Sequence, residues 1–122
     1  MNLYNVIHNC VYLPETFYKV MNKSMHTLLL ESGYFNYNDK VTVELINKEL
    51  QKHPDCVDQW LQYSEDKRTS NGWYIYKNEK GVYVVAYMGE LSERSKLEFV
   101  NVVEACAHYM KLELEMIRHI KN

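Results

Sequence analysis

The chain has 122 residues, 47% of them apolar and 25% charged, with a formal net charge of −2. That is the size and make-up of one folded domain, and it excludes a disordered chain or a fibrous repeat. Fourteen basic against sixteen acidic residues leave no cationic surplus for phosphates, which argues against a nucleic-acid or anionic-membrane partner.

Residues 2–12 carry Leu3, Val6, Ile7 and Cys10 at helical spacing. The segment is short and β-branched, so a strand stays open beside the helix. Pro14 suits the first turn of a second helix. From there Phe17, Val20, Met21, Met25, Leu28 and Leu29 follow the 3.6 period to Gly33, a helix-ending glycine, so one helix is expected over about 14–32. Residues 34–40 read as a loop ending in an Asn or Asp cap. Helices at about 40–52, with Val43, Ile46 and Leu50 on one face, and about 54–65, with Val57, Trp60 and Leu61 inward, are separated by Pro54.

A polar connector then marks the change from helices to strands. "NGWYIYKNEKGVYVVAYMG" (71–89) reads as a hairpin over about 72–77 and 82–88. Asn78 to Gly81 suits a type I turn with Gly81 in the left-handed position of a bulge. The turn sets the register: Tyr76 opposite Val84, Ile75 opposite Val85, Tyr74 opposite Ala86, Trp73 opposite Tyr87. One face holds Tyr74, Tyr76, Val82, Val84, Ala86 and Met88, the other Trp73, Ile75, Lys77, Tyr83, Val85 and Tyr87. The small aliphatics of the first face offer the smoother bed for a long helix. Trp73, Tyr83 and Tyr87 then lie under the N-terminal helices or against a partner.

A third strand over about 95–100, wet on one side, is expected at an edge. Asn101 and Glu104 form a capping box, opening a helix over about 102–120. Its apolar face includes Cys106, Tyr109, Met110, Ile117 and Ile120. Glu104, His108, Lys111, Glu115 and Arg118 make the solvated side. The whole is a single α+β domain, with N-terminal helices, a small antiparallel three-stranded sheet and a long C-terminal helix.

Chemistry is mostly excluded. The four glycines make no phosphate-cradling loop, and neither H-E-x-x-H nor G-x-S-x-G occurs. Cys106 and His108 point about 200° apart on a helix, and His8 with Cys10 converges only on a strand, so no metal is expected. No catalytic residue and no cofactor is expected either. Three widely spaced cysteines do not make a secreted disulfide framework. With no basic leader before an apolar run, the expectation is a reduced, cytoplasmic protein. Glu65 with Asp66, and Glu90 with Glu93, fall in polar loops near the ends of the sheet segment. They would form an acidic rim beside Trp73, Lys77, Tyr83 and Tyr87.

Residues 63–110 resemble a bacterial immunity protein of the polymorphic-toxin systems, of the type called immunity protein sixty-three. The resemblance rests on the acidic "YSED" before the sheet, the pattern aromatic-x-Ile…Gly-x-Tyr-x-Val, Glu93-Arg94, and the capped helix after the third strand. It implies a non-enzymatic protein that neutralises one cognate toxin by direct binding, through aromatic anchors and acidic rim residues. A phage-encoded inhibitor of a host complex fits the same composition. A different class, single-strand nucleic-acid binding on exposed sheet tyrosines, is the alternative.

Overall fold

The computed structural model describes residues 1–67, 72–89 and 93–120, with backbone alone at 93–95. The open choice at the N-terminus resolves as helix, α1 (Leu3–Val11). Asn2 Oδ1 accepts from Asn5 N at 3.0 Å, and Asn5 Oδ1 accepts from Asn2 N at 3.3 Å. This reciprocal cap supplies partners for amides that a short, β-branched helix would otherwise leave open.

The expected helix over 14–32 is two, α2 (Leu13–Val20) and α3 (Met25–Ser32). The 3.6 period runs through both, but Met21 takes φ +60 and ends α2 in the left-handed region. Ser24 then starts α3 by accepting from the Thr27 amide. Gly33, φ +93, ends α3 as its position suggests.

The expected loop after it contains a single turn of helix, α4 (Tyr34–Tyr37). Tyr34 is fully buried there, so tertiary packing overrides the polar composition of its neighbours. The α5 helix (Val43–Lys52) is capped by Thr42, accepting from Leu45 N at 3.3 Å, rather than by an Asn or Asp. Pro54 opens α6 (Pro54–Asp66) as expected.

Strands β1 (Gly72–Lys77), β2 (Tyr83–Met88) and β3 (Glu93–Phe99) form one antiparallel sheet in the order β1-β2-β3. The hairpin register is the expected one, from Trp73 opposite Tyr87 to Tyr76 opposite Val84. Gly81 has φ +79 and donates to Asn78 O at 3.1 Å, while Asn78 Oδ1 accepts from the Lys80 and Val82 amides. β3 is an edge strand, and a register shift opposite Tyr87 and Met88 marks a bulge near its start.

The last helix, α7 (Val102–Arg118), is capped by Asn101, which accepts from Glu104 N at 3.0 Å. Its expected solvated side is largely covered. Lys111, Glu115, Arg118 and His108 are all half-buried, because α7 packs against α3, α5, α6 and the sheet rather than lying on one surface. Lys111 Nζ donates to Tyr34 Oη at 2.8 Å and to the Asn38 carbonyl at 2.6 Å, and Tyr34 donates to Glu115 at 2.5 Å. Ile120, expected in the core, lies beyond the helix end and is exposed.

The sheet meets α7 through the face opposite to the expected one. Ile75 and Val85 join the buried cluster that contains Cys106, Tyr109, Met110 and Leu114 of α7. Phe99, opposite Tyr83 on that same face, stacks on His108 of α7 at 4.8 Å. Val84 and Ala86 are nonetheless buried on the other face. They sit on the central strand, between the longer cross-strand neighbours Tyr76 and Glu98, and Tyr74 and Lys96. Trp60, Tyr34 and Tyr109 are the largest fully buried side chains.

Candidate functional site

The outer edge of β1 is where the sheet meets α6. Ser64 Oγ accepts from Ile75 N at 2.9 Å and donates to Ile75 O at 3.2 Å, both buried. One hydroxyl thus satisfies the two backbone groups that an edge strand would present there to another chain. Beside this junction runs a groove of about 750 Å³, lined by Leu61, Glu65, Tyr74, Tyr76, Lys77, Tyr83 and Met88 together with Ser64 and Ile75. Consecutive strand residues point to opposite faces, so a lining that runs from Tyr74 to Lys77 places the groove along the strand edge.

Of the eight residues expected to meet a partner, Glu65, Lys77 and Tyr83 line this groove. Glu65 and Asp66 are exposed, but they form the last turn of α6 rather than a loop. Asp66 accepts hydrogen bonds from Tyr18 and from Gln62, which hold its carboxyl below the usual range. Trp73 and Tyr87 are half-buried and meet edge to face at 5.4 Å across the hairpin, on the side that packs on the core. Lys77 is exposed, with its ammonium 5.7 Å from the Tyr83 ring centre. Glu90 lies outside the described residues, and Glu93 is described as the first residue of β3 only. The most exposed large apolar side chains of the groove are Tyr76 at 37% and Met88 at 36%. Both belong to the face that had been expected under the long helix.

Behind the groove lies a buried polar network. Glu113 of α7 is 3% exposed. It accepts from Lys67 Nζ at 3.0 Å and Tyr63 Oη at 3.3 Å. The Lys67 ammonium also sits 4.5 Å from the centre of the Tyr74 ring, and Tyr74 donates to Lys67 O at 3.1 Å. Burial pushes the Glu113 carboxyl up, against the lowering charge of Lys67. A paired, enclosed carboxylate of this kind ties α6, β1 and α7 together.

A second cluster joins two other helices. His8 and Tyr12 stand one turn apart on α1 and its cap, and Glu49 and His53 one turn apart on α5 and its cap. His8 Nδ1 is 3.0 Å and His53 Nε2 3.2 Å from the same oxygen, Glu49 Oε2. Tyr12 Oη is 2.9 Å from His53 Nδ1. The sequence reading paired histidines with neighbouring cysteines and missed this set. The readable signal is the Glu49/His53 spacing of four, which places both on one helix face.

The cysteines are all buried. Cys10 faces inward towards Ser32 while His8 faces Glu49, so that pair does not converge. Burial pushes the Cys56 thiol up to about 11, the Cys10 thiol up to about 12 and Cys106 higher still. Thiolates are the nucleophilic form, so none of the three is poised for covalent catalysis. Among the described residues no helix is long and apolar enough to cross a membrane. No family model, no curated protein and no solved structure matches this chain.

Proposed function

We propose that the protein is a non-enzymatic binding protein that holds a protein partner in the groove between α6 and the outer edge of β1. The observation that carries this reading is the groove's lining. Tyr76, Met88 and Tyr83 offer apolar and aromatic surface, while Glu65 and Lys77 supply charge around them. Aromatic residues and methionine are the types enriched at the centres of protein interfaces. Because Ser64 already occupies the strand edge at Ile75, the partner inserts side chains here and does not add a strand. The complementary surface is an apolar side chain seated between Tyr76 and Met88.

The resemblance of residues 63–110 to immunity proteins makes that partner a toxin, blocked by direct binding. Stacking of single-stranded nucleic acid on the sheet is the weaker reading. Among the described residues of the groove Lys77 is the one cation, too little to track a phosphate backbone. The test is co-expression with the product of the adjacent gene, followed by light scattering on the eluted complex. A one-to-one complex is expected, weakened at least about tenfold by Tyr76→Ala and by Glu65→Lys, since interface anchors carry more than 1.4 kcal/mol each. A complex insensitive to both substitutions overturns the groove. The absence of any complex with the neighbour's product overturns the immunity reading.

A further inference from the structure

We propose that His8, Glu49 and His53 form a binding site for one divalent transition-metal ion of the zinc class, with Tyr12 as the group that orients His53. The two imidazoles and the carboxylate come from two helices, α1 and α5, and all three offer a ligand atom within 4.8 Å of the others. Metal bonds of about 2.0–2.2 Å to imidazole and carboxylate set ligand–ligand edges of about 3 Å at right angles and about 3.4 Å at tetrahedral angles. The His8–Glu49 and His53–Glu49 separations, 3.0 and 3.2 Å, already fall on that scale. The two imidazole nitrogens lie within 4.8 Å of each other, and an ion closes the set by drawing the rings together.

The donor set is two imidazoles and one carboxylate, which suits zinc and its neighbours and leaves further positions for water. Those positions face outward, since the His8 side chain is 50% exposed and Glu49 only 15%. Ligating histidines are usually held through their second nitrogen, and His53 Nδ1 has Tyr12 Oη at 2.9 Å. The tyrosine hydroxyl is both donor and acceptor. With the ring facing Glu49 through Nε2–H, Tyr12 donates to Nδ1. With Nε2 on a metal, the proton moves to Nδ1 and Tyr12 accepts it. The same contact therefore serves either tautomer of the ring.

Lys52 reaches Glu49 only at 4.0 Å, through the carboxylate oxygen that the histidines do not use. The cluster and the groove share no residue, so a metal here and a partner there are separate claims.

The test is titration of the chelator-treated protein with Zn²⁺ by calorimetry, with visible absorption of the Co²⁺ form as a second readout. The expected result is one ion per chain, with Co²⁺ bands characteristic of nitrogen and oxygen ligands. His53→Ala and Glu49→Gln should weaken binding by more than the 10–100-fold typical of outer contacts, and Tyr12→Phe by about 10-fold. His119→Ala, outside the cluster, should change nothing. Urea unfolding of each variant without metal separates lost ligation from lost folding, and Glu49→Gln keeps the shape of the side chain. Equal affinity in wild type, His53→Ala and Glu49→Gln overturns the site. So does the absence of saturable Zn²⁺ binding to the folded wild type.

Discussion

At the scale of single residues, α7 carries two carboxylates, two positions apart, whose environments act in opposite directions. Burial raises the Glu113 carboxyl despite Lys67 beside it. Burial also acts to raise Glu115, but hydrogen bonds from Arg118 and Tyr34 and the charge of Lys111 outweigh it and hold that carboxyl low. A raised carboxyl binds its proton more tightly in the fold than in the unfolded chain. Its contribution is therefore fully present below the ordinary value near 4.5 and is lost as pH rises through the folded value. A lowered carboxyl contributes above 4.5, and that stability is lost as pH falls through its folded value. Urea unfolding across a pH series should separate them. The stability of wild type relative to Glu113→Gln should improve as pH falls towards 4.5, while that relative to Glu115→Gln should decline below it. Parallel slopes for the two variants would contradict this assignment. Neither environment was legible in the sequence. Glu115 stood on the side read as solvated, and Glu113 acquires its burial only when α6 and β1 close over it.

At the scale of elements, periodicity located the helices well and their ends poorly. The stripe Phe17, Val20, Met21, Met25, Leu28, Leu29 has helical spacing across the whole of 14–32, and a period cannot register a change of axis between two helices. What breaks it is local: Met21 turns into the left-handed region, and Ser24 offers a cap to Thr27 N at 3.1 Å. Met21 is 86% exposed, so its side chain contributes little packing to offset a backbone conformation that costs a non-glycine residue about 1–2 kcal/mol. Met21→Gly should therefore stabilise the protein by about 0.5–1 kcal/mol, the remainder being lost to the greater freedom of glycine in the unfolded chain. Thermal or urea unfolding measures it, and a destabilised variant would show that the Met21 side chain matters more than its backbone. The hairpin behaved differently. Its turn residues and its pairing lie within nineteen positions, so local chemistry alone determined the register.

At the scale of the whole molecule, the question was which side of the sheet the long helix covers, and no local rule answers it. Both faces of the hairpin are apolar, and the smaller side chains of Val84 and Ala86 favour that face as the bed for a helix. The outcome instead follows from α6. By holding the edge of β1 through Ser64, α6 fixes the sheet's orientation, and Ile75 and Val85 then reach Tyr109 and Met110 of α7. The same junction leaves the groove beside it, where Tyr76 and Met88 stay 37% and 36% exposed. Ser64 is thus a hydrogen-bonded link between α6 and the sheet, and its removal has a calculable consequence. Ser64→Ala strips the partner from a buried N–H and a buried C=O of Ile75 at once, and each unmade buried hydrogen bond costs about 1–3 kcal/mol. A loss of about 2–4 kcal/mol is expected, partly relieved where water enters from the groove. Amide exchange should locate the effect: Ile75 and its β1 neighbours open faster, while the amides of α5, which packs chiefly on α7 and α1, exchange only through global unfolding. If Ser64→Ala loses less than about 0.5 kcal/mol, the edge of β1 is held by packing alone. The orientation of the sheet on α7 then has its origin in the shape of the apolar core, and the groove beside α6 becomes a place a partner strand can enter.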